Sequence, residues 1–311
     1  MLNALSKAFF LGLASSRPLK RLASRYGLRK PTSFARRFIA GETTADAIAA
    51  ARVVQAAGMG ISLDLLGESV LSLDEADAAT RGCLALVREI VDAGIERNVS
   101  LKLTQLGLDA DHATAVDNLR KILALADAHD FFIRIDMEGS PYTDETLSIW
   151  QTLWGLGHRR LGVVLQSALK RSEDDARRVI EQGGRVRLVK GAYKEPKAIA
   201  WQAKADVDAA FVRMMQTLLK DGTYPAIATH DPAMIAATKA YARTIGLGHD
   251  RFEFQMLYGV RRDLQASLVA EGYRVRVYIP FGREWFPYFM RRLGERPANA
   301  VFVLKSLLRE R

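Results

Sequence analysis

Residues 131–166 read FFIRIDMEGSPYTDETLSIWQTLWGLGHRRLGVVLQ. Two short apolar runs, Phe131 to Met137 and Leu161 to Gln166, flank a longer stretch, Thr143 to Leu156, whose apolar residues recur at helical spacing. A tight hairpin cannot account for so long a connection. Two strands joined this way run parallel with the helix as crossover, which is one βαβ unit.

The same unit recurs in both directions. Further strands are expected at Gly60 to Leu65, Val99 to Leu103, Val186 to Lys190, Pro225 to Thr229, Phe252 to Leu257 and Val275 to Ile279. Helical patterns fill the gaps: Asp74 to Val91, Ala113 to Ala128, Glu173 to Glu181, Trp201 to Lys220, Pro232 to Thr244, Arg261 to Ala270, and Glu284 to Leu308 broken near Pro297. Ser172, followed by three carboxylates, reads as an N-cap. Eight units in series close into a (β/α)8 barrel of the TIM type more naturally than they form an open sheet. No GxGxxG follows the first strand, so the doubly wound dinucleotide fold lacks its fingerprint.

Composition narrows the function classes. The chain has 311 residues, 49% hydrophobic and 26% charged, which excludes a disordered or collagen-like protein. The lone cysteine, Cys83, excludes an internal disulfide and a cysteine-based zinc site, and the five histidines show no metal-ligand spacing. No run approaches the roughly 18–20 apolar residues that span a bilayer. The net charge of +10 is spread along the chain without an aromatic-interleaved basic helix, so nucleic acid is not expected as a partner. Met1 to Lys30 is basic, lacks acidic residues and carries the apolar stretch Ala8 to Leu13. An amphipathic arm beside the main domain and a cleaved targeting segment both fit that composition.

A barrel places chemistry at the C-terminal ends of its strands. Asp64, Lys102, Asp136-Met137-Glu138, Gln166, Lys190-Gly191-Ala192-Tyr193, Thr229-His230-Asp231, Leu257-Tyr258-Gly259 and Tyr278 fall there. Period-two alternation turns Arg274, Arg276 and Tyr278 inward on the last strand, and Arg134, Asp136 and Glu138 inward on the third. Charges of both signs inside a barrel must pair or bind something. Lys102 and Asp136, on adjacent strands, are the expected pair, and an aspartate so paired is a poor general base.

With those segments in order, the chain resembles the flavin-dependent proline dehydrogenases. The similarity runs through Phe38-Ile-Ala-Gly-Glu42, Ser62-Leu-Asp-Leu-Leu-Gly-Glu68, Ser100-Leu-Lys-Leu-Thr-Gln-Leu-Gly107 and Ile135-Asp-Met-Glu138. It continues through Gly162-Val-Val-Leu-Gln166, Arg187-Leu-Val-Lys-Gly-Ala-Tyr193, Ala228-Thr-His-Asp231, Phe252-Glu-Phe-Gln-Met-Leu-Tyr-Gly259, Val277-Tyr-Ile-Pro-Phe-Gly282 and Tyr288-Phe-Met-Arg-Arg-Leu-Gly-Glu-Arg-Pro297. The resemblance implies a monofunctional bacterial-type enzyme with a distorted α/β (β/α)8 TIM-type barrel, residues 1–37 as an N-terminal helical arm and 38–311 as an FAD-binding catalytic domain. The implied reaction is oxidation of L-proline to Δ1-pyrroline-5-carboxylate, the first step of proline catabolism. A hydride passes to flavin N5, and the electrons pass to a quinone.

By that resemblance Arg291 and Arg292 bind the substrate carboxylate, two guanidinium groups being suited to bidentate contact with one anion. Lys102 adds a third cation. Tyr278, Leu257 and Tyr193 line the substrate pocket, and Glu295 orients an arginine. Glu68 pairs with Arg291 as a gate. Met137, Gln166, Arg187, Lys190, Gly191, Ala192, Thr229 and His230 hold the flavin: Arg187 stabilises negative charge on the reduced ring, Lys190 offsets diphosphate charge, and Gly191 admits close backbone approach. Asp136 and Arg187 are the implied catalytic pair, Asp136 in an organising role; no metal is involved. A dehydrogenase for 4-hydroxyproline or another cyclic secondary amine differs only at the pocket wall near Tyr278. An FMN- or folate-linked barrel oxidoreductase and a non-catalytic basic binding protein on the same barrel are the other readings. The expected location is the cytoplasm, with the basic surface suited to peripheral contact at the inner membrane face.

Overall fold

The computed structural model describes residues 34–295, with side chains through Met290. Among them eight strands form one closed parallel barrel in sequence order, the first pairing with the last. The strands are β1 (Gly60–Leu65), β2 (Asn98–Leu101), β3 (Phe132–Ile135), β4 (Leu161–Gln166), β5 (Arg185–Val189), β6 (Ala226–Ala228), β7 (Glu253–Leu257) and β8 (Val275–Phe281). Helix α1 (Thr44–Ala56) precedes the barrel and packs on β1 and β8. The others follow one strand each: α2 (Leu73–Ala93), α3 (His112–Ala128), α4 (Thr143–Gly155), α5 (Ser172–Glu181), α6 (Lys204–Asp221), α7 (Pro232–Thr244), α8 (Arg262–Ala270) and α9 (Trp285–Glu295). No described helix is long and apolar enough to cross a membrane.

Four of the helices start where a side-chain cap satisfies a first orphan N–H group. Thr43 forms a capping box with Asp46, and Ser72, Asp111 and Asp231 each cap the helix that follows. Ser172 does not. It is the first residue of α5, and the cap position belongs to Arg171, which is already in a helical conformation. A side-chain cap is typically extended, and Arg171 is not; its guanidinium folds onto Asp175.

One apolar cluster lies between the barrel wall and the ring of helices, with Leu86, Ile122, Trp150, Phe211 and Phe254 among its buried members. A second, separate cluster joins Ala35, Phe38 and Ile39 to Leu66 and to Trp285, Phe286 and Phe289 of α9. The 3-10 turn Phe34–Arg37 thus ties the start of the described chain to its last helix. Arg37 presses so near the loop after β7 that a Cβ on Gly259 would fall 1.6 Å from the Arg37 carbonyl oxygen. Of the expected arm, residues 1–33 lie outside the described residues.

The barrel's interior is polar, as the alternation predicts, and its charged side chains each meet at least one partner. Arg276 donates to Glu253, to Glu96 and to the Ile61 carbonyl. Burial alone would push the Glu253 carboxyl up, but the charge and hydrogen bond of Arg276, the Gln255 hydrogen bond and the Arg185 charge together hold it below its ordinary value. Arg134 donates to the carbonyls of Val163 and Arg185 and lies over the Phe132 ring. Arg274 departs from expectation: it stands exposed one residue before β8, at the rim.

Candidate active site

A cavity of about 610 Å³ opens at the C-terminal ends of the strands, within the range typical of cofactor sites. Its floor is set by residues on β5, β7 and β8 and just after β3. Arg187, on β5, uses all three nitrogens: Nη1 donates to Asp136 Oδ1 at 2.6 Å, Nη2 to Ser100 Oγ at 3.0 Å, and Nε to Gln255 Oε1. Its guanidinium also lies over the Tyr278 ring, 5.4 Å from the centroid. A buried charge fixed in this many directions is pre-organised, and re-aiming it would break several bonds at once.

Tyr278 Oη bridges two carboxylates. It lies 2.9 Å from Asp136 Oδ2 and within hydrogen-bond distance of Asp64 Oδ2. Burial, then the charges of Asp136 and Asp64, push the Tyr278 phenol well above its ordinary value, so it stays protonated. Lys102 Nζ is 3.7 Å from Asp64 Oδ2. The carboxylate paired with Lys102 is therefore Asp64, and the expected Lys102–Asp136 pair is replaced by Arg187–Asp136. Lys102 follows β2, which lies between β1 and β3, so adjacency alone could not choose between the two aspartates.

The second wall rises from β5, β6 and α7. Lys190 Nζ donates to Asp208 on α6 and, at 2.6 Å, to Asp231, and Lys204 donates to both carboxylates from outside. Hydrogen bonding from Lys190 draws the Asp231 carboxyl down to about 2. Gly191 has φ +113, a conformation that favours glycine, and faces the Gln166 side chain. Gln166 donates to the Glu138 carbonyl at 2.9 Å. His230 accepts the Leu257 N–H on Nε2, which puts its neutral-form proton on Nδ1. Arg261 also lines the cavity, in the left-handed region at φ +50, paired with Asp263.

Every anticipated site residue whose side chain is described lines this cavity except Glu68: Lys102, Asp136, Met137, Gln166, Arg187, Lys190, Gly191, Ala192, Tyr193, Thr229, His230, Leu257 and Tyr278. Glu68 lines a smaller adjacent cavity with Lys102, Glu284 and Tyr288. The side chains of Arg291, Arg292 and Glu295 lie outside the described residues, so the Glu68–Arg291 gate does too. Lys190, expected to offset diphosphate charge, already has its charge balanced by Asp208 and Asp231. Sequence reading gave no role to Asp64, Ser100, Asp208, Gln255 or Arg261. Asp64 carries a signal, a carboxylate within a buried strand; Asp208, far along the chain on α6, carries none.

A family model described as proline dehydrogenase matches residues 47–305. Proline dehydrogenase 1 of Bacillus subtilis is 40% identical over 301 residues, covering 97% of this chain and 98% of that protein. Proline dehydrogenase of Deinococcus radiodurans is 40% identical over 313 residues, 99% of this chain and 100% of that one. Among solved structures, proline utilization A (PutA) from Bdellovibrio bacteriovorus inactivated by N-propargylglycine superposes with a TM-score of 0.78 at 28% identity. That match covers 83% of this chain and 32% of the larger one.

Proposed function

The chain belongs to the proline dehydrogenase family, and from that premise we propose that it binds FAD and oxidises L-proline to Δ1-pyrroline-5-carboxylate, with a quinone as the final electron acceptor. One observation carries the reading: Lys102, Arg187, Tyr278 and Leu257, on or just after four different strands, face one cavity that also holds Gly191 and Gln166.

The residues present suit a flavin. Apolar walls from Met137, Val164, Val189 and Met256 accept a flat ring, and Arg187 supplies a fixed cation beside them. Gly191, where a Cβ would meet Gln166 Oε1 at 3.1 Å, gives backbone access on that wall. Met137, Gln166, Arg187, Lys190, Gly191, Ala192, Thr229 and His230 would hold the cofactor. Lys190 and Arg261 are the cations on this wall that would meet a phosphate, each already paired with carboxylates. When bound, the flavin supplies a two-electron acceptor at N5 for the hydride that leaves the ring carbon beside the substrate nitrogen.

The protein's own part is orientation and charge. Lys102, with Arg291 and Arg292 of α9, binds the carboxylate of the amino acid; Tyr278, Tyr193 and Leu257 bound the ring. Asp136 holds Arg187 and Tyr278 in place through two hydrogen bonds. Glu68, at the neighbouring cavity, closes the entrance with Arg291, and Glu295 orients the arginines. The basic chain suits docking at the cytoplasmic face of a membrane, where quinone resides.

The test is an absorbance spectrum of the purified protein before and after anaerobic L-proline. A flavin spectrum that bleaches is expected. A colourless protein, or a flavin that proline leaves oxidised, would overturn the reading.

A further inference from the structure

The bridge at Tyr278 fixes a proton count. A phenol carries one hydrogen and donates once, yet Tyr278 Oη lies within hydrogen-bond distance of both Asp64 Oδ2 and Asp136 Oδ2. Two full hydrogen bonds form here only if one contact is a bond that the phenol oxygen accepts, and that bond needs a hydrogen on a carboxyl group. Asp136 is the ion-pair partner of Arg187 at 2.6 Å, so it is the carboxylate. Asp64 is wholly enclosed, its Oδ1 has no hydrogen-bond partner, and Lys102 approaches its Oδ2 only to 3.7 Å. An orphaned carbonyl oxygen of a neutral acid costs much less than an orphaned anionic oxygen.

We propose that Asp64 is held as a neutral acid that donates to Tyr278, which donates to Asp136, and that this stored proton keeps one negative charge off the cavity floor where the carboxylate of the substrate binds. The groups facing Asp64 are Lys102 after β2, Asp136 after β3, Arg187 on β5, Tyr278 on β8 and the Cys83 thiol on α2. Burial raises the Asp64 carboxyl; Lys102, Tyr278 and Arg187 oppose it, Asp136 adds to it, and the rise prevails. Ionised, Asp64 would set one more negative charge against Lys102 and Arg187; neutral, it sets none. Anion binding is thereby linked to a proton: a bound carboxylate raises the Asp64 carboxyl further, and affinity falls as Asp64 ionises with rising pH.

The inference rests on reading the cavity as a carboxylate site, and the test separates the two. The probe is cyclopentanecarboxylate, the proline ring without its nitrogen, so that above about pH 6 the ligand itself does not titrate. Its affinity for the purified holoenzyme is measured by calorimetry from about pH 6 to about pH 9, for wild type and Asp64→Asn. Asparagine mimics the neutral acid. Near pH 7 the two proteins should bind within about twofold, and any loss at high pH should occur in wild type alone. If Asp64 were ionised, removing its charge would tighten binding at pH 7 by roughly tenfold or more, and that result overturns the proposal. Infrared spectroscopy of wild type, with carbon-13 aspartate to distinguish Asp64 from the buried Glu138, should show a protonated-carboxyl stretch at pH 7. Its absence overturns the proposal even if Asp64→Asn fails to fold. If cyclopentanecarboxylate does not bind but the infrared band is present, the carboxylate-site reading fails, and with it the proposed role of the proton, while the proton on Asp64 stands.

Discussion

Arg187 Nη1 reaches from β5 to Asp136 Oδ1 at 2.6 Å, joining two strands that are not neighbours, with the side chains only 6% and 13% exposed. Each is the other's nearest counter-charge at the floor of the cavity. Arg187→Met leaves the Asp136 carboxylate enclosed beside Tyr278 and Asp64, and removal of one partner of a buried pair typically costs about 3–5 kcal/mol. Urea unfolding should show that loss. Arg187→Lys restores the charge without the three-way fork, and should recover only part of it. A wild-type midpoint in Arg187→Met would mean that the pair contributes nothing to the fold.

Asp136 touches Arg187 and Tyr278 and is expected to organise them rather than to carry protons. In Asp136→Asn, kcat/KM for L-proline should fall by about 100-fold, about 2.7 kcal/mol of lost orientation. The shape of the pH profile should be retained, basic limb included. Disappearance of that limb would make Asp136 the base.

The barrel was legible because every strand is a short run with apolar residues on its helix-facing side and every crossover carries a helical period. Strand and helix ends moved by a few residues. At β8 the shift has a clear cause: β7 ends its pairing at Leu257 opposite Tyr278, so Pro280 and Phe281 extend β8 on the β1 side alone, where the missing N–H of proline is tolerated. The site was legible to the level of which residues meet. It was not legible to the level of which pair with which, because alternation turns Asp64, Lys102, Asp136 and Arg187 into one small interior without ranking the distances among them. Asp208 was invisible for a different reason. Its role comes from α6 leaning over the end of β5, and nothing in the local pattern of a helix reports what its first turns overhang.

Gly259 tests how the segment before the barrel is held. Its φ is +71, and an added Cβ would collide with the Arg37 carbonyl. Arg37 Nε in turn donates to the Gly259 carbonyl at 3.3 Å. Gly259→Ala should cost about 1–3 kcal/mol from backbone strain alone, with more from the displaced turn. Thermal unfolding reads the cost, and limited proteolysis should cut near residues 34–41 faster than in wild type. An unchanged cleavage rate would mean that the cluster of Phe38, Trp285 and Phe289 holds the segment without Gly259.

The Lys190 cluster makes a prediction about acid. The Asp231 carboxyl is drawn down to about 2 in the folded protein, by its hydrogen bond from Lys190 first, against an ordinary value near 3.8. A depressed folded value means stability that is fully present above the unfolded value and lost as pH falls toward the folded one. The loss therefore lies between about pH 4 and pH 2. Asp231 is half-buried, its side chain 24% exposed, and it shares Lys190 with Asp208, so the contribution is about 1 kcal/mol or less. Asp231→Asn keeps the cap on α7, because asparagine accepts the Ala233 N–H as aspartate does, and removes only the charge. Its melting temperature should lie below wild type at pH 6, and the two curves should converge near pH 2. A gap that stays constant across that range would locate the effect in the cap, and the ion pair with Lys190 would then contribute no stability of its own.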